Sequence, residues 1–354
     1  MSDLRNQDPR SATTTLDQSS TPSGNGLAAR SDAPCSRLDH QGVGDDPFAD
    51  DYEFLDDIHG PIHLNRLERD VVDTPEFQRL FRLGQLGFVD MVYPTANHTR
   101  GAHSIGVCFW SKKLVTTLND NRLKVRPGSE NVPDISRAEA VLISLGALVH
   151  DLPHGPFSHD IEKKTHYIYP LRTPDSRTRV TSYYGPYEKH DNFLANPALY
   201  VFLMDVENSV LARVLRKYSR QFAASLLNDA RDHEHLAAFA EALNEWPRSD
   251  EELLPNLLFH LLVYEKYEEA RRCSRPLVKT FGGGEKVAWG IGPEAAWKNL
   301  HESWYQPFRH DIIGDTLSAD LLDYLMRDQS RLGMKNELDL KLLNYYVLVL
   351  LCYK

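Results

Sequence analysis

Cysteine is scarce in this sequence, and no two cysteines are close together. The four present are Cys35, Cys108, Cys273 and Cys352, and none belongs to a Cys-x-x-Cys pair. A disulfide framework and a thiolate zinc site are therefore not indicated, and a reducing compartment is the expected environment. The 354 residues are enough to bury a sizeable core, so the fold does not need such cross-links.

Long apolar runs and an excess of positive charge are also missing. No apolar stretch approaches the roughly 18 to 20 residues that span a bilayer, and the N-terminus lacks the basic-then-apolar pattern of a secretory signal. We therefore expect a soluble, cytoplasmic protein with no membrane partner. The net charge of -10 argues against a surface that binds nucleic acid throughout. It leaves nucleic acid open as a partner, because a local cluster of Arg and Lys can still bind phosphate.

Aromatic residues are absent from residues 1–47, which are crowded with Ser, Thr, Asp, Gly and Pro. Such a segment cannot bury enough apolar area to offset the entropy of ordering, so we expect a disordered tail. From Phe48 onward, hydrophobic residues recur at the three- and four-residue intervals of helices. The folded part of the chain is therefore predicted to begin at Phe48.

Helix start signals are frequent after that point. Thr74-Pro75 predicts an N-cap and first turn, followed by a helix with Phe77, Leu80 and Phe81 on one face. A second helix is predicted from about His103 to Asn119. Further helical patterns cover residues 187–204, 209–228, 233–244, 250–272, 294–305, 315–331 and 338–352.

Ser136 and Glu139 have the spacing of a capping box and precede the apolar run from Ala140 to Val149. This pattern predicts a helix buried on almost every side, with His150 and Asp151 at its end. Strand patterns are scarce by comparison. Two β-prone runs, 277–281 and 286–289, flank three glycines and predict one small β-hairpin. The fold class is therefore mainly α with a small β-hairpin insertion.

The densest group of ionisable residues lies between His150 and His159, where three histidines and one aspartate occur in ten residues. His150 and Asp151 are adjacent at the end of an apolar helix, where lost hydration must be compensated by partners. A cation supplies that compensation efficiently. The segment therefore predicts a metal site.

Two further metal ligands are available on other helices. His103 opens an apolar helix, so its ring can point towards a neighbouring helix. Asp320, Tyr324 and Asp328 are spaced four apart and share one helix face. Spacing alone would favour a solvated face for the two aspartates, so their role depends on the other ligands.

In this order, His103, His150-Asp151 and Asp320 form the H…HD…D signature of the HD-domain phosphohydrolases. The sequence around them resembles the deoxynucleoside triphosphate (dNTP) triphosphohydrolases of that superfamily, which include bacterial dGTPases. The similarity is carried by Ile58-His59-Gly60-Pro61-Ile62, Asp73-Thr74-Pro75-Glu76-Phe77-Gln78-Arg79-Leu80, Gln85-Leu86-Gly87, His150-Asp151-Leu152-Pro153-His154-Gly155-Pro156-Phe157-Ser158-His159 and Asp323-Tyr324-Leu325-Met326-Arg327-Asp328. It extends from about residue 53 to 335 and is strongest in 57–110 and 145–160.

The resemblance implies an HD-domain helical bundle over residues 48–335. It also implies a divalent metal ion. Two imidazoles and two carboxylates are suitable ligands for manganese, iron, magnesium or zinc. The family hydrolyses dNTPs at the α-phosphorus, releasing a deoxynucleoside and triphosphate. A dNTP is therefore the expected substrate.

The resemblance also assigns roles to individual residues. His154 and His190 would be an acid/base pair near the scissile bond, with His159 and Glu162 close behind. Arg100 would bind phosphate. The implied sugar contacts are Gln85 and Asp328 at the 3′-hydroxyl, Leu86 under the ribose, and Tyr324 as the ring that bars a 2′-hydroxyl.

The sequence departs from the family pattern in three places. Leu321 replaces the lysine that follows the last metal ligand, and Asp56-Asp57 stands where the family has Asp-Pro. Residues 336–354 look like the start of an incomplete C-terminal helical region, because the apolar run from Leu342 to Tyr353 reads as a helix without its partner. A nucleotide activator and a homo-oligomer are therefore left open.

Two other functions are also compatible with the sequence. An HD-type nuclease or cyclic-nucleotide phosphodiesterase would use the same ligands on a different phosphate ester. A truncated, non-catalytic domain would bind nucleotide and regulate a partner without turnover.

Overall fold

The computed structural model describes residues 46–122, 134–157, 199, 202–244, 250–263, 277–280, 286–289, 306–314, 317–335 and 338–345. Of the tail predicted over residues 1–47, only Asp46 and Pro47 fall within this part of the chain. The helices predicted over 187–204 and 294–305 lie almost entirely outside it.

The described residues are mainly helical, which confirms the predicted fold class. The helices are α1 (Arg66–Val72), α2 (Pro75–Gln78), α3 (Arg100–Arg122), α4 (Arg137–Val149), α5 (Val210–Asp229), α6 (Ala237–Asn244), α7 (Leu253–Val263), α8 (Pro307–Gly314) and α9 (Ala319–Arg331). The strands are β1 (Asp50–Asp56), β2 (Gly60–Asn65), β3 (Leu277–Thr280) and β4 (Lys286–Trp289). None of these helices combines the length and the apolar character that crossing a bilayer requires.

The strands form two separate antiparallel pairs. β3 and β4 pair from Leu277↔Trp289 to Thr280↔Lys286, so the predicted small hairpin is confirmed. The pairing of β1 with β2, from Asp50↔Asn65 to Asp56↔Gly60, was not predicted. Ile62 and Leu64 of β2 are fully buried, and they anchor this first hairpin to the helical core.

α2 and α4 begin at the N-cap residues that were predicted from the sequence. The Thr74 side chain accepts a hydrogen bond from the Phe77 amide at the start of α2, and Ser136 and Glu139 form both bonds of a capping box at α4. The helix predicted after Thr74 is shorter than expected, since a 3-10 turn, Arg79–Arg82, continues the chain after Gln78. In this turn Phe81 is 37% exposed, and its ring packs edge-on against Phe77 with the centroids 5.9 Å apart.

Other helices also differ from the sequence prediction. α9 begins at Ala319 instead of residue 315, because the Ser318 side chain caps it there. In the described part of the last helical pattern, residues 338–345, the chain forms a 3-10 turn, Leu340–Tyr345, where an α-helix was predicted. α8 was not predicted.

α3 is the central helix of the bundle and packs against both α4 and α9. The contact with α9 is unusually close at Gly106. A Cβ atom at this position would lie 1.8 Å from Oδ1 of Asp323, so only glycine fits there. This close approach brings the first turn of α3 next to the first turn of α9, where the candidate ligands lie.

Candidate metal centre

Three helix ends meet at one point and deliver the four side chains singled out as metal ligands. His103 lies in the first turn of α3, His150 is the C-cap of α4 with Asp151 directly after it, and Asp320 lies in the first turn of α9. His103 and Asp151 are buried, whereas the Asp320 side chain is 36% exposed. The cluster therefore has a closed side within the core and an accessible side at Asp320.

Ligand atoms of His103, His150 and Asp151 all lie within 4.8 Å of one another, close enough to share one cation. Asp320 is adjacent to this group. Its Oδ1 atom lies 3.0 Å from Nε2 of His103 and 3.9 Å from Nε2 of His150. Nε2 of His150 is 3.5 Å from Oδ1 of Asp151. The structure thus brings together all four side chains.

Hydrogen bonds on the far side of each imidazole indicate which nitrogen faces the cluster. Nδ1 of His150 donates to the carbonyl oxygen of Ala147 at 2.7 Å, and Nδ1 of His103 donates to Asp323 at 2.7 Å. When the two rings are neutral, each Nε2 atom carries a lone pair that points towards carboxylate oxygens. Nε2 of His150 is buried and has no hydrogen-bond partner among the described residues. Such converging acceptors fit a divalent cation, which would bind the lone pairs that otherwise face one another.

The electrostatics of the cluster also favour a bound cation. Burial by itself would raise the pKa of Asp151, but the charges of His150, Arg100, His154 and His103 hold it well below its usual value. Burial likewise opposes protonation of His103, yet hydrogen bonds to Asp320 and Asp323 raise its pKa to about 10, so a cation bound at Nε2 would replace a proton there. The site is therefore rich in negative charge that favours a positive partner.

Asp323 is fully buried behind His103 and receives several donors. His59 Nε2 lies 2.6 Å from Oδ1 of Asp323, and the Arg327 guanidinium donates to both carboxylate oxygens at 2.9 Å. Burial would raise the pKa of Asp323, but these partners and His103 lower it far more. Arg327 in turn donates to Asp56 at 2.9 Å, and Arg331 pairs with Asp57. The two aspartates that replace the family's Asp-Pro therefore bind arginines of α9.

Two arginines lie on the other side of the cluster. Arg100, the first residue of α3, is buried and donates from its guanidinium to Oδ2 of Asp151 at 2.5 Å. Arg79 donates to the backbone carbonyl oxygen of His154 at 2.8 Å. The His154 ring is partly exposed, with Nε2 3.5 Å from Oδ1 of Asp151. Of the predicted acid/base residues, His154 thus lies at the cluster, whereas His159, Glu162 and His190 lie outside the described residues.

The residues assigned to the sugar lie along one edge of the same region. The backbone N–H of Gln85 donates to the backbone carbonyl oxygen of His98 at 3.0 Å, and Nε2 of His98 lies 2.8 Å from Oδ1 of Asp328. The Gln85 Oε1 atom is buried without a partner among the described residues. Tyr324 and Leu86 are both half-buried, and burial together with the charges of Asp320 and Asp328 raises the pKa of Tyr324.

Several residues of this region were not singled out from the sequence. His98 contacts the candidate residue Asp328, and Asp323 contacts the candidate ligand His103. His59 and Arg327 contact Asp323 in turn. The contacts made by His59, His98 and Asp323 each cross more than 200 positions of sequence. Asp323 and Arg327 have the four-residue spacing that is typical of a helical ion pair. His59, Asp323 and Arg327 also belong to segments that carry the family resemblance, but the resemblance gave none of them a role. His59 and His98 gave no such signal, because a single histidine is compatible with many environments.

Comparison with known proteins identifies relatives of one part of the chain, although no family model matches it. Deoxynucleoside triphosphate triphosphohydrolase SAMHD1 of Danio rerio is 41% identical over 106 residues, which cover 30% of this chain and 16% of that protein. The human protein of the same name is 37% identical over 120 residues, covering 34% of this chain and 17% of that protein. An uncharacterized protein of Methanocaldococcus jannaschii is 37% identical over 107 residues, covering 30% of this chain and 20% of that protein.

The similarity to dNTP triphosphohydrolases that the motifs indicated is therefore confirmed for about 30% of the chain. The match extends over a fifth or less of the length of these three relatives.

Proposed function

We propose that this chain hydrolyses deoxynucleoside triphosphates to a deoxynucleoside and triphosphate, at a divalent metal ion held by His103, His150, Asp151 and Asp320. The observation that carries the proposal is the convergence of these side chains, with ligand atoms of the first three within 4.8 Å. The dNTP triphosphohydrolases similar to this chain supply the substrate class. We assign this activity to a domain of residues 48–335.

The donor set indicates the kind of ion. Two imidazole nitrogens with two carboxylates suit manganese, iron, magnesium or zinc better than the softer copper(I). When bound, such an ion would polarise a phosphoryl oxygen and make an attacking water more acidic. The Asp320 side chain is 36% exposed, so a phosphate would have access to an ion held there.

His154 is the described residue best placed to transfer a proton. Its backbone carbonyl oxygen is bound by Arg79, and its ring lies beside Asp151, so the loop after α4 is held at the metal cluster. An imidazole gives and takes protons near neutral pH, which contributes about 10²- to 10⁴-fold in rate for a well-placed group. We propose His159 and His190 as further acid/base residues on the strength of the family resemblance.

Recognition of the nucleotide would use the polar edge beside the cluster. We propose that Arg100 binds phosphate, that Gln85 and Asp328 bind the 3′-hydroxyl, and that Leu86 packs under the ribose. Tyr324, on the same helix as Asp320, would exclude a 2′-hydroxyl. A buried polar pocket discriminates strongly because an unpaired group inside it is costly.

The proposal is tested with purified protein freed of metal by a chelator and then supplied with manganese. Each of the four dNTPs and the matching ribonucleotides is incubated separately, and the products are resolved by anion-exchange chromatography. We expect triphosphate and a deoxynucleoside from at least one dNTP, only in the presence of metal. Absence of triphosphate from every dNTP would refute the proposal. Single-stranded DNA in a parallel reaction detects nuclease activity, and cleavage of DNA alone would favour that alternative.

A further inference from the structure

Asp323 is the most enclosed carboxylate next to the metal cluster. It lies on α9 three residues after Asp320, its side chain is 0% exposed, and Gly106 of α3 packs directly against it. Nothing in its family resemblance assigned it a role. Burial of a carboxylate is costly unless its charge is fully bonded, so its partners indicate what it does.

The partners of Asp323 use both of its oxygen atoms. Oδ2 accepts from Nδ1 of His103 at 2.7 Å and from Nε of Arg327 at 2.9 Å. Oδ1 accepts from Nε2 of His59 at 2.6 Å and from a second Arg327 nitrogen at 2.9 Å. A planar guanidinium that bonds both oxygens fixes the orientation of a carboxylate. The Asp323 carboxylate therefore cannot rotate away from His103 without breaking several charged hydrogen bonds.

The ring of His103 lies between two carboxylates of the same helix, and they are not equivalent. Asp323, on the Nδ1 side, is enclosed and already neutralised by Arg327. Asp320, on the Nε2 side, is 36% exposed and lies beside His150 and Asp151. A cation has access to the Nε2 side alone, whereas the Nδ1 side offers a fixed acceptor for a proton.

We infer that Asp323 is a positioning residue that holds the Nδ1 proton of His103 and so presents Nε2 of His103 to the metal, with His59 and Arg327 fixing Asp323 in turn. The inference rests on the proposed metal centre, but it does not depend on which nucleotide is hydrolysed. Carboxylates that orient a metal-binding histidine typically contribute about 10- to 100-fold to metal affinity.

The network offers a matched control for a test by substitution. Asp56 also binds Arg327, at 2.9 Å, and its side chain is 10% exposed, but it has no described contact with His103. Asp56→Asn and Asp323→Asn each remove one carboxylate charge from the same arginine. Only Asp323→Asn replaces the charged acceptor of the His103 proton by a neutral amide.

The experiment measures affinity for Mn²⁺ and Zn²⁺ by competition with a chelating dye in both variants of the full chain, after circular dichroism has confirmed that they are folded. We expect Asp323→Asn to bind each metal about 10- to 100-fold more weakly than Asp56→Asn. Equal affinities in the two variants would overturn the inference and leave the metal centre intact. Failure of the unmodified protein to bind either metal would overturn the metal centre itself, and the inference with it.

If Asp323→Asn does not fold, the role of Asp323 is tested by a measurement on the unmodified protein. Histidines are labelled with ¹⁵N in the Zn²⁺-loaded protein, and the His103 signals are identified by their loss in His103→Gln. We expect a retained Nδ1 proton, shifted downfield by its bond to a carboxylate, and a metal-shifted Nε2. Coordination through Nδ1, or a deprotonated Nδ1, would overturn the inference.

Discussion

Nδ1 of His103 and Oδ2 of Asp323 lie 2.7 Å apart, although the two residues are separated by 220 positions in the sequence. The contact crosses the interface between α3 and α9, whose separation is set by Gly106. The geometry of the candidate metal ligands therefore depends on how closely these two helices pack.

Replacing Gly106 by alanine should force α3 and α9 apart. The added Cβ would meet Oδ1 of Asp323 at 1.8 Å and an Arg327 nitrogen at 2.6 Å, and neither side chain is free to move. We expect a loss of about 1–3 kcal/mol in the free energy of unfolding, measured by urea denaturation, together with weaker metal binding.

Gly314→Ala at the end of α8 is the matched control for this substitution, because a Cβ there meets nothing within 4 Å. It should leave both stability and metal affinity nearly unchanged. Equal behaviour of the two variants would show that the helix spacing at Gly106 is not critical.

Asp320→Asn should remove metal and turnover together. It keeps the size of the side chain but loses the charge next to His103 and His150. A metal ion contributes several kcal/mol to a phosphoryl-transfer step, so we expect turnover to fall at least about 100-fold. Metal content by mass spectrometry and triphosphate release are measured on the same sample. Asp120→Asn, an exposed aspartate on α3, is the control, and full activity in Asp320→Asn would refute the ligand assignment.

Glu139 should make the protein more stable above pH 5 than in acid. It is buried, and although burial opposes ionisation, its contacts with Arg309 and His235 lower its pKa from 4.5 to about 2. The pKa of Glu139 is lower in the folded state than in the unfolded state. Its contribution to the free energy of unfolding is therefore complete above the unfolded-state pKa of about 4.5, and it is lost as the pH falls from about 4.5 towards 2. Its size is about 3 kcal/mol, since a tenfold change in an acid dissociation constant corresponds to about 1.4 kcal/mol.

Urea denaturation of the Glu139→Gln variant between pH 7 and pH 3 measures this contribution. We expect the variant to be less stable than the unmodified protein at pH 7, with a difference that shrinks as the solution is acidified. Glu241→Gln on the exposed face of α6 should show no such dependence. A difference that grows in acid would contradict the assigned direction.

His98 should matter for substrate affinity and not for metal affinity. Its Nε2 atom is 2.8 Å from Asp328, the residue that we propose binds the 3′-hydroxyl. A hydrogen bond to a charged group is worth about 1.5–3 kcal/mol, so His98→Ala should lower kcat/KM about 10- to 100-fold. His98→Gln, which retains a donor, should recover part of the loss. Unchanged kinetics with dNTPs in His98→Ala would contradict this role for the histidine.

The sequence predicted the helical elements that have strong local signals. The capping box at Ser136 and the apolar run after it defined α4, and Thr74 defined the start of α2. The first hairpin was not predicted because β1 is rich in acidic residues, which have low strand propensity. β1 is a strand because it pairs with β2. Local propensity also could not show that residues 340–345 would form a 3-10 turn.

The candidate ligands could be identified from sequence because their order matches a known signature. The hydrogen bonds that orient them could not be identified in this way. Which nitrogen of His150 faces the cluster is decided by the carbonyl oxygen of Ala147, and for His103 by Asp323. Both contacts depend on backbone geometry and helix packing, which spacing along a chain does not encode.

α9 carries the candidate ligand Asp320, the orienting carboxylate Asp323 and the proposed sugar contacts Tyr324 and Asp328 within nine consecutive residues. Each residue inserted into an α-helix turns everything beyond it by about 100°. A single insertion between Asp320 and Asp328 would therefore swing the sugar contacts away from the metal ligands. Related sequences should tolerate changes of side chain along this helix far better than changes of its length, and insertions should be confined to the loops on either side of it.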